Sequence, residues 1–145
     1  MNFIKNNKIR FASTIIIAYV FIINIQAGID FFLHPDKYVA AFELSGIPGL
    51  TAVAGTGLLF LMWNIPYAFA LWNPIKNRIS LIQALLMQLL GCIGDTFILF
   101  RFSNELYPFL SSSIQRFILF DSIGLVLLLI AAIMVWRKGV IQQSI

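Results

Sequence analysis

Three aspartates stand inside or at the edge of long apolar stretches, where ionisable side chains are rare: Asp30, Asp95 and Asp121. An ionisable group at the centre of a membrane-spanning helix costs at least about 2.5–3.5 kcal/mol on insertion scales, so it usually faces other helices and has a partner. Such acids handle protons or cations, or they tie helices together. They are therefore the first candidates for a functional site.

Amide side chains accompany two of these acids at helical spacing. Gln88, Gly91 and Asp95 follow one another at steps of three and four residues, which places them on one face of a helix. Gln26 stands four residues before Asp30 in the same way. A small, polar face of this kind packs against other helices and not against lipid. The predicted intramembrane polar cluster consists of Asp95, Gln88, Asp30, Gln26 and Asp121.

A second apolar stretch combines large aromatic rings with an amide and a proline. Trp63, Asn64 and Tyr67 are predicted to form the wall of a pocket for a flat hydrophobic molecule such as a quinone or sterol. Pro66 cannot donate a backbone hydrogen bond and should bend the helix, so Asn64 is expected to satisfy freed backbone or to bond Gln88. Ordinary side-chain packing is the alternative interpretation of the same face.

Basic side chains near the ends of the apolar stretches are the predicted charge partners of the acids: Arg101, Arg116 and His34. Three ionised carboxylates in one cavity would repel one another, and these cations, a bound cation or a proton would relieve the repulsion. The structural alternative has Asp95 paired with an arginine as a tie between helices. Asp30 and Asp121 would then be solvated near the membrane surface.

The sequence carries none of the common motifs of catalytic, metal or cofactor sites. It has no phosphate-binding glycine loop, catalytic triad or HExxH motif. Its single cysteine, Cys92, excludes an internal disulfide and a Cys-based zinc site, and its single histidine argues against a metal site. We therefore predict no catalytic, metal-binding or cofactor-binding residue, and the sequence identifies no cofactor.

The composition places the chain in a membrane. Of its 145 residues, 60% are apolar and 11% charged, and the mean hydropathy is +0.90. A soluble domain averages about 45–50% apolar and about 25% charged residues. Four stretches approach or exceed the roughly 20 residues that cross a bilayer as helix: residues 11–33, 50–72, 79–100 and 117–136. The predicted fold is a single-domain, all-α, four-helix antiparallel up-down transmembrane bundle.

The connections refine this topology. Residues 36–44 carry apolar side chains at helical spacing, which predicts a short interfacial helix between the first two spans. Pro108 and the serines at 111–113 predict a turn before the fourth span. Ten cations outnumber six acids, and the cations lie in small groups beside apolar runs, which indicates membrane orientation and no nucleic-acid partner.

The distribution of cations predicts the orientation of the bundle in the membrane. Three cations precede the first span, two lie in the second connection and two follow the fourth span. Because positively charged segments stay on the cytoplasmic side, both termini are predicted to be cytoplasmic. This topology places the three aspartates at similar depth near the opposite face, where they could converge on one cavity.

A set of short motifs lies between residues 15 and 60. It comprises Ala27-Gly28 late in the first span, Gly-Ile-Pro-Gly at residues 46–49, and Gly55 with Gly57 at the start of the second span. This region resembles the DoxX-like family of small bacterial membrane proteins, although the second span lacks the glutamate that members commonly carry. The resemblance implies a four-helix inner-membrane bundle in a family that includes a quinone-linked oxidoreductase subunit and proteins linked to redox stress. It implies no catalytic residue.

Three functions remain open on the sequence alone. The first is a non-enzymatic membrane protein, an accessory subunit or binding protein for a hydrophobic small molecule such as a quinone or lipid. The second is a small proton- or cation-coupled transporter or channel that uses Asp95, as a homo-oligomer because four helices leave little room for a pathway. The third, a membrane enzyme acting on lipid or quinone, is disfavoured because no catalytic constellation is present. All three have the lipid bilayer as a partner, and a membrane-complex partner fits the first.

Overall fold

The computed structural model describes residues 2–102 and 106–142, with side chains at 7–102 and 106–137. Its four long helices are α1 (Asn2–Leu33), α2 (Gly46–Trp72), α3 (Arg78–Phe102) and α4 (Pro108–Gln142). The described residues include no strand. Each of the four helices contains a segment that is long and apolar enough to cross a membrane. The predicted all-α, four-helix architecture is confirmed.

The helices form a closed square in which each one packs against two neighbours. α1 contacts α2, α2 contacts α3 and α3 contacts α4, and α4 returns to contact α1. Short connections make successive helices antiparallel. The bundle therefore has a terminal end, where α1 begins, α4 ends and α2 turns into α3, and a far end, which carries the connection at residues 34–45.

Large apolar side chains cover the outside of the bundle. Phe11 on α1, Leu58 on α2, Leu90 on α3 and Leu119 on α4 are all between 47% and 68% exposed. Water would penalise this much contiguous apolar surface, whereas hydrocarbon accommodates it and requires the helical hydrogen bonding seen here. The protein is therefore an integral membrane protein whose spans contact the lipid bilayer.

The connection at the far end differs from the single short helix expected there. It contains two 3₁₀ turns, Pro35–Lys37 and Val39–Phe42. The second turn ends at Glu43, whose left-handed φ of 55° no continuing helix allows. Ser113 on α4 donates a hydrogen bond from Oγ to the carbonyl of Ala41 at 2.7 Å. This contact holds the connection against the bundle end.

Helix α4 begins earlier than expected. The expected turn at Pro108 and the serines of 111–113 is helical, and the fourth helix starts at Pro108 instead of near residue 117. Proline suits the first turn of a helix because its missing N–H would have no intrahelical partner there. Ser113 is buried and bonds outside its own helix, so its hydroxyl does not compete with the helical backbone.

Two asparagines shape the turn between α2 and α3. Oδ1 of Asn73 accepts hydrogen bonds from the backbone N–H groups of Ile75, at 3.2 Å, and Lys76, at 3.1 Å. Nδ2 of Asn77 donates to the carbonyl of Phe69 at 2.7 Å, which satisfies one of the free carbonyls at the end of α2. These bonds let the chain reverse within five residues, 73–77, and bring α3 alongside α2.

The two ends of the bundle are packed differently. Small and aliphatic residues fill the terminal half of the interior, including Ile17, Ala70, Leu81, Ala84, Leu128 and Val135. In the far half, α1 and α2 approach backbone to backbone, since a Cβ at Gly57 would stand 2.7 Å from the carbonyl oxygen of Gly28. The interior between α2, α3 and α4 in that half is not filled, and polar side chains lie beside the opening.

Candidate functional site

A chain of hydrogen bonds crosses the middle of the bundle and joins three helices. The Tyr67 hydroxyl on α2 lies 2.6 Å from Oε1 of Gln88 on α3 and 3.1 Å from the carbonyl oxygen of Ala84. Nε2 of Gln88 donates to Oδ1 of Asp121 on α4 at 2.7 Å. Tyr67 and Gln88 are almost completely buried. The chain therefore ends at one oxygen of the Asp121 carboxylate.

The direction of these bonds follows from the chemistry of the groups. An ionised Asp121 only accepts hydrogen bonds, so the amide nitrogen of Gln88 must face it. The amide oxygen of Gln88 then faces Tyr67, whose hydroxyl donates to it. The network thus fixes the Gln88 side chain and, through it, the position of the Asp121 carboxylate.

Two glycines make room for this pairing. Oδ2 of Asp121 lies where a Cβ at position 91 would have to stand, and Nε2 of Gln88 lies 2.6 Å from the corresponding Cβ position at Gly124. Any larger residue at Gly91 or Gly124 would displace one of the two polar groups. The carboxylate and the amide are therefore held between α3 and α4 because both helices lack side chains at the contact.

A cavity of about 320 Å³ opens beside Asp121 between α2, α3 and α4. Asp95 and Asp121 supply its charged groups, and its lining also includes Thr56, Gly91 and aliphatic side chains. Its aromatic groups are Phe42, Phe60, Trp63 and Phe117. The Phe117 ring stacks between Phe42, at 6.0 Å and 30°, and Phe60, at 6.1 Å and 27°. The site is thus a ring-lined cavity with two acids in its wall.

A second cavity, of about 390 Å³, adjoins the first and shares Trp63, Gly91 and Asp95 with it. Leu90 lines this second cavity and is 67% exposed on the lipid-facing surface of α3. The second cavity therefore reaches from the outer surface of α3 to Asp95.

The predicted charge partners of these acids lie elsewhere. The Arg101 guanidinium is 5.4 Å from the ring centre of Phe102, and both Arg101 and Arg116 are exposed. At about 100° per residue, Arg116 lies about 140° around α4 from Asp121, on a different face. Neither arginine pairs with Asp95 or Asp121, and His34 lies beside Asp30 instead. Asp95 has no hydrogen-bond or ion-pair partner in the described part of the chain.

The expected convergence of three aspartates is corrected to two. Asp30 is partly exposed, and its Oδ1 lies 3.8 Å from Nδ1 of His34 on the next turn of α1. It does not line the cavity that holds Asp95 and Asp121. Gln26 is also exposed, because it lies about 200° around α1 from Gly28, on the side opposite the packed face.

The three residues predicted as a pocket wall have three different environments. Trp63 lines both cavities and is 44% exposed. Tyr67 belongs to the hydrogen-bonded chain described above. Asn64 is buried, and of its two expected partners, backbone or Gln88, its Nδ2 bonds backbone, the Phe60 carbonyl at 2.7 Å. Gln88 is bonded by Tyr67 instead.

The sequence interpretation missed Asn24. This residue is 6% exposed, its side chain interacts with the Tyr67 hydroxyl, and its Oδ1 has no hydrogen-bond partner. The signal was present in the spacing of Ile17, Val20 and Asn24, which lie at steps of three and four residues on the buried face of α1. The predicted polar face, with Gln26 and Asp30, lies on the opposite side of the helix.

No protein-family model, curated protein or solved structure matches the chain. The site is therefore interpreted from its own chemistry. Among the described residues, no group of three histidine, cysteine or acidic side chains is placed to hold a metal ion. What the cavity offers is an aromatic surface, two carboxylates as hydrogen-bond acceptors or counter-charges, and access from the lipid.

Proposed function

We propose that the protein binds a hydrophobic small molecule of the quinone or lipid class in the cavity between α2, α3 and α4, as a binding protein or accessory subunit. The observation that carries this proposal is the cavity itself, which combines aromatic walls with two acids and adjoins an opening to the lipid-facing surface. Small-molecule sites are concave, mostly apolar and equipped with a few oriented polar groups, as this one is.

The ring arrangement favours a ligand with a flat part. Phe42, Phe117 and Phe60 form a stack in which neighbouring rings are tilted by 30° or less. Trp63 packs edge-on to Phe60 at 6.1 Å and lies where the two cavities meet. A planar group entering between these rings would gain offset-stacked and edge contacts.

The polar groups favour a ligand that donates hydrogen bonds. One oxygen of Asp121 already accepts a bond from Gln88, and Asp95 has free acceptor capacity. In their ionised form these carboxylates cannot donate, and an oxidised quinone would then place its carbonyl acceptors against acceptors. The hydroxyl groups of a reduced quinone or a sterol fit these acids better.

Gentle extraction followed by native mass spectrometry tests the proposal. The expected result is a bound hydrophobic molecule whose occupancy falls in Trp63→Ala, because this ring lines the cavity. The matched control is Trp72→Ala, a change at the end of α2 where the side chain is 78% exposed. Equal occupancy in both variants, or no bound molecule in the unchanged protein, contradicts binding in this cavity.

The second candidate function is a proton- or cation-coupled transporter, which the unpartnered Asp95 favours. In that case Asp95→Asn in liposomes should abolish a proton- or cation-coupled flux that Asp30→Asn leaves intact, because Asp30 lies outside the cavity. A protein that only binds its ligand shows no such flux before or after the substitution.

The proposed location is a bacterial inner membrane with both termini in the cytoplasm. Support comes from the cations, of which seven of the ten fall in the chain termini and in the connection between the second and third spans. Reporter fusions at the N- and C-termini test it, and an external C-terminus would reverse the orientation. Membership of the DoxX-like family belongs to the same proposal, and the close packing of Gly28 on Gly57 gives two of its motif residues a structural reason.

A further inference from the structure

We infer that the molecule bound in this cavity is a hydrophobic cation whose positive group lies between Asp95 and Asp121. The inference rests on the proposed binding of a hydrophobic small molecule, and it replaces the neutral quinol or sterol by a lipid-like molecule that carries a positive charge. Three features of the cavity support it: the balance of charge, the aromatic lining and the placement of the two carboxylates.

The charge of the cavity is unbalanced. Two acids line it, and the described residues of its lining include no lysine, arginine or histidine. Carboxylates inside a membrane protein ordinarily have a cationic partner, because an unpaired charge in low dielectric is costly. Arg101 and Arg116 lie on exposed helix faces away from the cavity, and His34 lies beside Asp30. A cationic ligand would supply the missing partner.

The aromatic lining provides a second attraction for a cation. The faces of tryptophan and phenylalanine rings carry partial negative charge, and they attract ammonium groups more strongly when water is excluded. Trp63, Phe60 and Phe117 line the same cavity as the acids. Rings and carboxylates together form the kind of surface that binds organic ammonium groups and still accepts an apolar body.

The two carboxylates lie about one turn of α3 apart along the cavity. Asp121 lies against Gly91, and Asp95 is four residues further along α3, about 6 Å along the helix axis. Asp121 is restrained by Gln88, whereas none of the described residues forms a hydrogen bond or ion pair with Asp95. A single ammonium group can therefore contact a fixed carboxylate on one side and an adjustable one on the other.

The test uses two probes of the same shape and different charge, phenyltrimethylammonium and tert-butylbenzene. Their binding to the protein in nanodiscs of zwitterionic lipid is measured by ligand-observed NMR, with empty nanodiscs subtracted. The cation should bind at least about tenfold more tightly than its neutral isostere, since charge pairing and cation–π contact act on the cation alone.

Two substitutions connect this preference to the site. Asp121→Asn keeps an oxygen that can accept the bond from Gln88, so the variant should fold while losing the preference for the cation. Asp95→Asn should have the same effect, and Asp30→Asn, outside the cavity, should retain the preference.

The outcomes separate the two proposals. If both probes bind equally, or only the neutral one binds, the cation inference is wrong and the hydrophobic binding function stands. If neither probe binds and a neutral molecule copurifies, the cation inference is again wrong. If neither binds and nothing copurifies, the proposed function fails as well.

Discussion

Gln88 on α3 and Asp121 on α4 each lie against a glycine of the opposite helix. Each glycine follows the polar residue of its own helix by three positions. Asp121 lies against Gly91, three residues after Gln88, and Gln88 lies against Gly124, three residues after Asp121. Between them runs the 2.7 Å hydrogen bond from Nε2 to Oδ1. The two helices are therefore complementary at this level, and the pairing turns a carboxylate toward the cavity while shielding it from lipid.

Gly91→Ala should break this pairing, because its Cβ would stand where the Asp121 carboxylate lies. We expect a loss of about 1.5–3 kcal/mol in the free energy of unfolding, the typical effect of losing a hydrogen bond with a charged group. Equilibrium unfolding in mixed micelles of SDS and a non-ionic detergent measures it. The matched control is Gly94→Ala on the same helix, where a Cβ meets nothing within 4 Å.

For the control we expect no loss, or a gain of up to about 1 kcal/mol, since alanine favours helix over glycine. Equal effects of the two substitutions would contradict the role assigned to Gly91.

Tyr67→Phe should remove the hydroxyl that donates to Gln88 and leave the buried amide oxygen without its donor. The expected cost is about 1 kcal/mol, in line with hydrogen bonds between membrane helices. Tyr19→Phe is the control, because Tyr19 is 57% exposed to the surroundings of the bundle. Unfolding in the same micelles compares the two. A Tyr19 effect as large as that of Tyr67 would mean that the hydroxyl bond adds nothing.

The helical architecture was predictable because membrane crossing depends on properties that the sequence displays directly. Four long apolar runs and short connections define an antiparallel bundle, and Pro35 marks the end of α1 because a residue before proline avoids helical geometry. The structure of the connections was less predictable. Whether the serines of 111–113 form a turn or a helix depends on the partner of Ser113, which is a carbonyl 72 residues away.

The polar site was predictable only within each helix. The spacing of Gln88, Gly91 and Asp95 places them on one face, but the bond from Gln88 to Asp121 depends on how α3 and α4 are rotated against each other. On α1 the spacing of Gln26 and Asp30 predicted the wrong face as the buried one. Its packed face carries Asn24 and Gly28, and Asp30 remains near the surface where His34 can reach it. A polar residue at a helix end can be solvated, so its presence does not identify the buried face.

Ser113→Ala should loosen the connection at the far end of the bundle. Among the described residues of α4, only Ser113 is seen to donate a hydrogen bond to the Ala41 carbonyl. We expect the backbone amides of Glu43 and Leu44, which close the second 3₁₀ turn, to exchange hydrogen about fivefold faster, the effect of losing roughly 1 kcal/mol locally. Hydrogen–deuterium exchange in nanodiscs measures this. Ser112→Ala is the control, and a similar acceleration there would remove Ser113 from its anchoring role.

Gly57→Ala should separate α1 from α2 in the far half of the bundle. Its Cβ would stand 2.5 Å from the backbone nitrogen of Phe32 and 2.7 Å from the carbonyl oxygen of Gly28, and backbone cannot move aside as a side chain can. We expect a loss of about 1–3 kcal/mol in the free energy of unfolding, as for other overpacked interiors. Gly55→Ala, two residues earlier, meets nothing within 4 Å and should leave stability unchanged or slightly raised. Unfolding in mixed micelles distinguishes the two variants, and comparable stabilities would show that the helices do not pack backbone to backbone at Gly57.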